Sequence, residues 1–552
     1  MKKQLVLATL VLTGALVLAG CGGGSKLATK AGGKILTIEL GPEVETIDPA
    51  LNTTNDGANY LTYLSDNLLR IDKDGKVAPS LAEKYEVSDD ALTWTFHLRD
   101  GLKWSDGSDL TANDFVYSWQ RMIDPEVAAP YAEITLGMVE GYEEAIGLPD
   151  AEGKPTIDPD VTKLKVEAPD DKTLVVHMAT PTPYFDKLAT FAALSPVKQD
   201  VVDANPDGWT LDPKTYISTG PFKLTEWKQG SYMLFTKNEN YWNKDAVKLD
   251  GIKALLMQDQ NAAFSAYESG DALMIKDYPV EEVKTMQQRP DYKSSPKLGI
   301  SYVDINNDLE EFKDPKVRHA LSLALDRKYM AETITADINS PATGFVPTGV
   351  IDWDGSAWAD NITDKSVYFD NDNFDANLAK AKELLKEAGY ENGVGLPTMS
   401  YTTNDAGFNK KVAEYLQQAW KELGINVEVN IVEWKSFIPQ RRSGNYQIAR
   451  DGWVMDYNDP SNVLELVQST NGNNNAKYSN PEFDALLDKA ANESDAKTRF
   501  GYFHQAEELL LKDAGIIPLM YQNETYLQSD KIIDSFYTSD GIWHFEYADI
   551  AE

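Results

Sequence analysis

The residue types that do most covalent chemistry are few and scattered in this chain. Cys21 is its only cysteine in 552 residues, so no intramolecular disulfide can form. The five histidines, His97, His177, His319, His504 and His544, never come within five residues of one another. No H-E-x-x-H motif sets two of them on one helix face, so a local zinc site is not expected. There is no G-x-S-x-G for a nucleophile elbow and no G-x-x-x-x-G-K-[ST] for a phosphate loop. Carboxylates abound, yet pairs such as Asp89-Asp90 and Glu143-Glu144 read as solvated surface in so acidic a chain. An enzyme built here would have to use dispersed carboxylates. Neither a metal nor a cofactor is expected.

The placing of Cys21 points to different chemistry. Lys2 and Lys3 precede a run from Leu5 to Leu18 that only Thr9, Thr13 and Gly14 interrupt, and Leu18-Ala19-Gly20 then leads into the cysteine. This is the layout of a secretory signal, and the run is shorter than the ~20 residues a membrane-spanning helix needs. The cysteine site resembles a bacterial lipobox, which implies cleavage before Cys21 and diacyl attachment to it. Two acyl chains suffice for stable anchoring. The alternative is a plain signal peptide with an incidental cysteine. Residues 22–33 hold five glycines together with Ser25, Lys26 and Lys30, a composition suited to a flexible tether.

Composition narrows the class of the exported part. With 42% hydrophobic and 10% aromatic residues the chain can build large cores, and its length suggests roughly two to four domains. The 52 basic and 87 acidic side chains leave a net charge of −35, which repels nucleic acid and keeps an exported protein soluble.

The elements alternate between strand and helix. Leu92, Trp94, Phe96 and Leu98 alternate with polar residues, which predicts a strand with one buried face. Asp375 is expected to cap a helix that buries Leu378, Ala381, Leu384, Leu385 and Ala388 and stops at Gly389. Val412, Leu416, Ala419 and Leu423 predict a second helix, stopped by Gly424 and followed by an alternating strand over 425–431. Asp314-Pro315 is expected to open a third helix. Asn471–Asn475 reads as a loop and Asp106-Gly107 as a turn. Helix followed closely by strand predicts an α/β protein with a parallel or mixed sheet.

Segments Leu81–Glu83, Leu92–Arg99, Lys103–Gly107, Thr111–Ala112 and Asp114–Arg121 resemble, in this order, the oligopeptide-binding proteins of ATP-driven importers. These belong to the extracellular solute-binding protein family 5. Thr219–Phe222, Asn238, Tyr241-Trp242, Asp314-Pro315 through Asp326-Arg327, Arg450, Gly452-Trp453, Asp456–Asn458 and Tyr478 through Pro481 to Asp484 continue the match. The resemblance therefore runs from about Ile35 onward. It implies an α/β, two-lobed periplasmic-binding-protein type II fold with an additional domain, of the cluster C peptide-binding type. The lobes would close around ligand by a hinge. The implied layout is a signal at 1–20, an anchor and tether at 21–34, a discontinuous lobe I, an extra domain at 67–200 and lobe II at 299–522. Lobe I would comprise 35–66, 201–298 and 523–552.

The function it implies is a monomeric, lipid-anchored receptor on the outer face of a Gram-positive cytoplasmic membrane. It would capture oligopeptides and deliver them to the permease subunits of an ABC importer. A pheromone receptor, or a nickel, haem or oligosaccharide receptor on the same fold, is the alternative.

A receptor that accepts many peptides must hold what all peptides share, the ammonium and the backbone. In the resembled family an aspartate in a Gly-Trp-x-x-Asp segment pairs with the ligand ammonium, and that position here is Asp456. Read locally, Asp456 is a turn aspartate ahead of Asn458-Asp459-Pro460. The resemblance assigns Arg450 to the peptide carboxylate or nearby backbone, with a structural salt bridge as its alternative. It makes Trp434 and Trp453 pocket walls, with core packing as the alternative, and gives Val454 a main-chain contact. Tyr117, Tyr302, Asp304 and Arg441 match further pocket residues. A family glutamate falls on Thr53, beside Thr54 and Asn55, and two family histidines fall on Phe191 and near Asn409. Ligand length or side-chain preference is therefore expected to differ from that of the family.

Overall fold

Alternation along Thr93–Leu98 does what its pattern predicts: Trp94, Phe96 and Leu98 are buried on one face. The computed structural model describes residues 33–148, 154–404 and 408–551. The signal, Cys21 and nearly all of the tether lie outside them. Thr93–Leu98 is a central strand of a four-stranded antiparallel sheet, ordered Ala82–Val87, Thr93–Leu98, Thr173–His177 and Val166–Asp170. Helix Ala112–Ile123 covers its inner face with Phe115, Trp119 and Met122. The Asp114 carboxylate accepts the Thr111 N–H at 2.7 Å, closing the helix start. Arg121 at the other end ties this unit to the loop before helix Asn55–Leu64. Its guanidinium donates twice to buried Asp48, at 2.7 and 3.1 Å.

The rest is organised by one mixed sheet of eleven strands. Its centre is a pair of long antiparallel strands, Tyr292–Ile305 and Ile516–Gln528. On one side of the pair stand Ile448–Val454, Met399–Thr403 and Val427–Ile431; on the other stand Met274–Ile275, Ile35–Glu39, Gly251–Leu255, Tyr232–Lys237 and Phe222–Lys228. Registry between the long strands breaks from Pro296 to Ile300. Two halves of the sheet are thus joined across an irregularity.

The βαβ unit expected from the second helix is present. Met399–Thr403 and Val427–Ile431 pair in parallel, linked through helix Asn409–Lys421. That helix buries Val412, Leu416, Ala419 and Trp420. Gly424 turns the chain from the helix into the second strand at φ +79°, and a Cβ there would lie 2.0 Å from the Asn392 carbonyl oxygen, so only glycine fits. Helix Pro315–Leu323 opens as predicted, with Asp314 accepting from the Lys316 N–H at 2.9 Å. The helix at 374–387 differs in one detail. Asn373 occupies its N-cap without a side-chain bond, and Asp375 lies inside the first turn. There the carboxylate favours the helix through the positive end of the macrodipole rather than as a cap.

Candidate ligand-binding cleft

Asp456 is the second residue past the end of strand Ile448–Val454, the neighbour of the long central pair. The ladder runs on beyond the strand, because the Met455 N–H donates to the Leu298 carbonyl at 2.7 Å. Asn462, in helix Ser461–Leu464, then fixes the turn. Its Oδ1 accepts from Trp453 Nε1 at 2.9 Å and from the Asp456 N–H at 3.1 Å. Its Nδ2 donates to Asp456 Oδ2 at 3.3 Å. From the four-stranded unit Tyr131 donates its hydroxyl to Asp456 Oδ1 at 3.0 Å, while its ring meets Phe191 edge-on at 5.1 Å.

The carboxylate keeps some solvent exposure at the cavity wall, although nearly all its surroundings are protein. Burial pushes its pKa up to about 6, against hydrogen bonds from Asn462 and Tyr131 that lower it. Among the described residues no cation shifts it.

Two adjoining cavities of about 120 and 560 Å³ share Ile71, Thr190, Asp456 and Asp540 in their walls. The larger is also lined by Tyr184, Trp353 and Arg499. Both draw on several stretches of chain: 55–77, 183–195, the Asp456 loop and the tail after Thr538. The same loop binds the four-stranded unit directly. Tyr184 stacks on Tyr457 with ring centres 5.8 Å apart, and Lys187 donates to the Asn458 carbonyl. Asp459 accepts both guanidinium arms of Arg499 at 2.8 Å, and this pairing with nearby Lys187 overcomes burial to hold its pKa well below the carboxylate range.

The other expected site residues scatter more than a single pocket would require. Trp453 lines a third cavity, of about 480 Å³, together with Asn462 and Tyr457. Val454 ends the strand opposite Gly299. Asn55 lines the smaller cavity and so does Phe191, whereas Thr54 is the N-cap of helix Asn55–Leu64, accepting from the Gly57 N–H at 3.2 Å, and Thr53 is exposed. Arg450 is partly buried opposite Val303, its guanidinium near Gly452, with a pKa lowered by burial.

Arg441 is committed to the protein: it forms an ion pair with buried Asp451. Asn475 donates to the same carboxylate at 3.1 Å. Asp304 lies fully buried beside that pair, its pKa driven well above the usual range by burial and by Asp451. Tyr302 packs edge-on against Phe345 at 5.2 Å inside the core. Tyr117 lines none of these three cavities and donates to Asp203 at 2.7 Å. The tyrosine that reaches Asp456 is Tyr131, which no local pattern singles out, since its partner stands 325 residues away. Asn409 is the first residue of its helix and donates to Asn404 at 2.9 Å. Trp434 begins helix Trp434–Arg442, and its side chain lies outside the described ones.

Comparison with known proteins agrees with this architecture. The chain is 33% identical over 516 residues to the dipeptide-binding protein DppE of Bacillus subtilis (93% of this chain, 91% of DppE). It is 34% identical over 525 residues to the periplasmic oligopeptide-binding protein OppA of Escherichia coli (94% and 92%). The crystal structure of Haemophilus influenzae OppA in complex with RPPGFSPFR superimposes with a TM-score of 0.76 at 30% identity, covering 94% of this chain and 99% of that one. The fold is thus the two-lobed type II binding-protein fold. Residues 76–475 match the model of the bacterial extracellular solute-binding proteins, family 5. Members of that family bind solutes for transporters and are not enzymes. With a family match over residues 76–475 and relatives aligned over most of its length, this chain belongs to the bacterial extracellular solute-binding proteins of family 5.

Proposed function

We propose that this protein captures oligopeptides between its lobes and delivers them to the permease of an ABC importer, with Asp456 receiving the peptide ammonium. The observation that carries the proposal is the carboxylate itself. It lies in the wall of both cavities, is oriented by Tyr131 and Asn462, and has no cationic partner among the described residues. A buried acid without a counter-charge is costly, and an ammonium arriving with the ligand relieves that cost. The Haemophilus influenzae relative, whose crystal structure holds a nine-residue peptide, supports the same reading.

Several further features belong to this proposal. Closure bends the sheet at the register break between Pro296 and Ile300, next to the expected lobe boundaries at 298/299 and 522/523. The protein acts as a monomer, anchored at Cys21 to the outer face of the membrane. Arg450, Trp453, Val454 and Asn55 contact ligand, whereas Arg441, Asp304 and Tyr302 support the floor beneath the site.

Calorimetry with free and N-acetylated forms of one tripeptide tests the central claim. Acetylation is expected to abolish most of the affinity, and equal binding of the two forms would refute the role of Asp456. Cys21→Ser is expected to release the protein from the membrane fraction; firm retention would remove the anchor.

A further inference from the structure

The Asp456 loop meets the four-stranded unit through contacts that neither partner needs for its own shape. On its own side the loop is braced at three points. Asn462 holds Asp456. The Asn458 side chain donates to the Gly349 carbonyl at 3.0 Å and accepts from the Ile351 N–H at 3.2 Å. Asp459 takes both arms of Arg499 and the Ser461 N–H at 3.1 Å. The facing segment, around helix Phe185–Leu188, is braced in its turn within the four-stranded unit. Phe185 and Leu188 are buried in that core, the Thr182 N–H donates to the Ala91 carbonyl at 3.3 Å, and the Ala189 carbonyl accepts from the Leu69 N–H at 3.2 Å.

Two formed surfaces therefore meet, and a few side chains cross between them. Among the described residues, Tyr457 is the one buried member of the four-stranded unit's core that comes from beyond residue 200. Its ring lies within 8° of parallel to Tyr184, and the Tyr184 ring centre is also 4.6 Å from the Arg499 guanidinium. Lys187 donates to the Asn458 carbonyl and stands 3.6 Å from Asp459. The charges complement each other. On the loop's side Arg499 faces two acids, Asp459 and Glu465, and burial followed by Asp459 pushes Glu465 up to about 7. Lys187 brings a second cation from across. Its neighbour Asp186 is buried, with a pKa raised by that burial, and so offsets it less than a free carboxylate would.

We propose that the four-stranded unit is the latch of the closed receptor: Tyr184 and Lys187 clamp the Asp456–Asp459 loop and so set how long a captured peptide stays. The latch rests on the proposed closure around peptide. It adds that the strength of closure lies in contacts of protein with protein, whichever peptide is enclosed. Contacts made only in the closed state lower the free energy of that state alone, so losing them speeds opening without slowing encounter.

Stopped-flow tryptophan fluorescence on the full chain measures capture and release of trialanine. In a Lys187→Met, Tyr184→Leu double variant koff is expected to rise on the order of tenfold, the scale of one hydrogen bond to a charged group, while kon changes by less than about threefold. Lys187→Arg, which keeps the cation, should restore slow release in the Lys187 single-variant series. Unchanged koff, or an affinity loss carried by kon, overturns the latch. A lowered urea midpoint of the ligand-free protein with unchanged release overturns it too, because the contact would then be a permanent part of the fold.

N-acetylated trialanine run alongside separates the latch from the ammonium contact. Release of both forms quickened by the same factor supports the latch. Equal binding of the two forms by the wild type refutes the role of Asp456, and the latch stands if the double variant still releases both faster. A double variant that no longer prefers the free amine shows Lys187 and Tyr184 acting through the position of Asp456, and overturns the latch.

Discussion

Asp456 and Asp459 stand three residues apart in one loop, both deep in protein, and their carboxyls shift in opposite directions. Asp459 has its cation built in: Arg499 grips it with two hydrogen bonds and Lys187 lies 3.6 Å away. Asp456 has only neutral donors, Tyr131 and Asn462. Burial is common to both, so the presence of an internal counter-charge decides the direction. A carboxylate that the fold neutralises holds the fold together. One that it leaves charged and oriented is suited to a cation from outside.

Removing Asp459 should have the largest effect. Asp459→Ala leaves Arg499 buried without its partner, a change that costs about 3–5 kcal/mol of stability. Urea unfolding measures it, and a loss near zero would break the comparison on its structural side. Asp456→Ala should instead cost ligand rather than fold. Peptide affinity is expected to fall by about 2–5 kcal/mol, as when one member of a buried charge pair is removed, while at neutral pH the apo protein should unfold at no lower urea than the wild type.

Titration sharpens the contrast. The pKa of Asp456 is raised on folding, from 3.8 to about 6, so the folded state binds this proton more readily than the unfolded one. Relative to Asp456→Asn, the wild type should therefore lose stability as pH rises from about 4 to about 7, by at most about 3 kcal/mol. Asp459 has the opposite sign: its stabilisation is present above pH 3.8 and is lost only as pH falls through its depressed folded value. Peptide affinity should follow ionisation of Asp456, weakening about tenfold from pH 7 to pH 5. A flat profile, with the variant also flat, would remove the link between this carboxylate and the ligand amine.

The smallest effect is expected from Tyr131→Phe. It takes one hydrogen bond from Asp456 and should raise that group's pKa further while weakening peptide binding by about 0.5–1.5 kcal/mol. Tyr117→Phe, whose hydroxyl bonds Asp203 instead, should leave affinity unchanged in the same calorimetric series.

Much of the architecture was legible before any coordinates. Alternation at Thr93–Leu98, the apolar stripe of Asn409–Lys421 and its stop at Gly424, and the Asp314-Pro315 helix start are local signals, set by side chains within one or two turns of each other. The long run of matching segments carried family and fold together. Which polar side chains face ligand was not local. Arg441 and Asp304 match pocket residues in sequence, and only the fold shows that one pairs with Asp451 and that the other is buried beside that pair. Asp456 meets Tyr131 across 325 residues, and Asp459 meets Arg499 across 40. Charge and hydrogen-bond partners are chosen by distance in space, which periodicity does not encode. The sequence by itself determined strands, helices, caps and the kind of protein they build. The tertiary structure decided which of two neighbouring aspartates would be neutralised from within, because only packing brings a guanidinium to one and withholds it from the other.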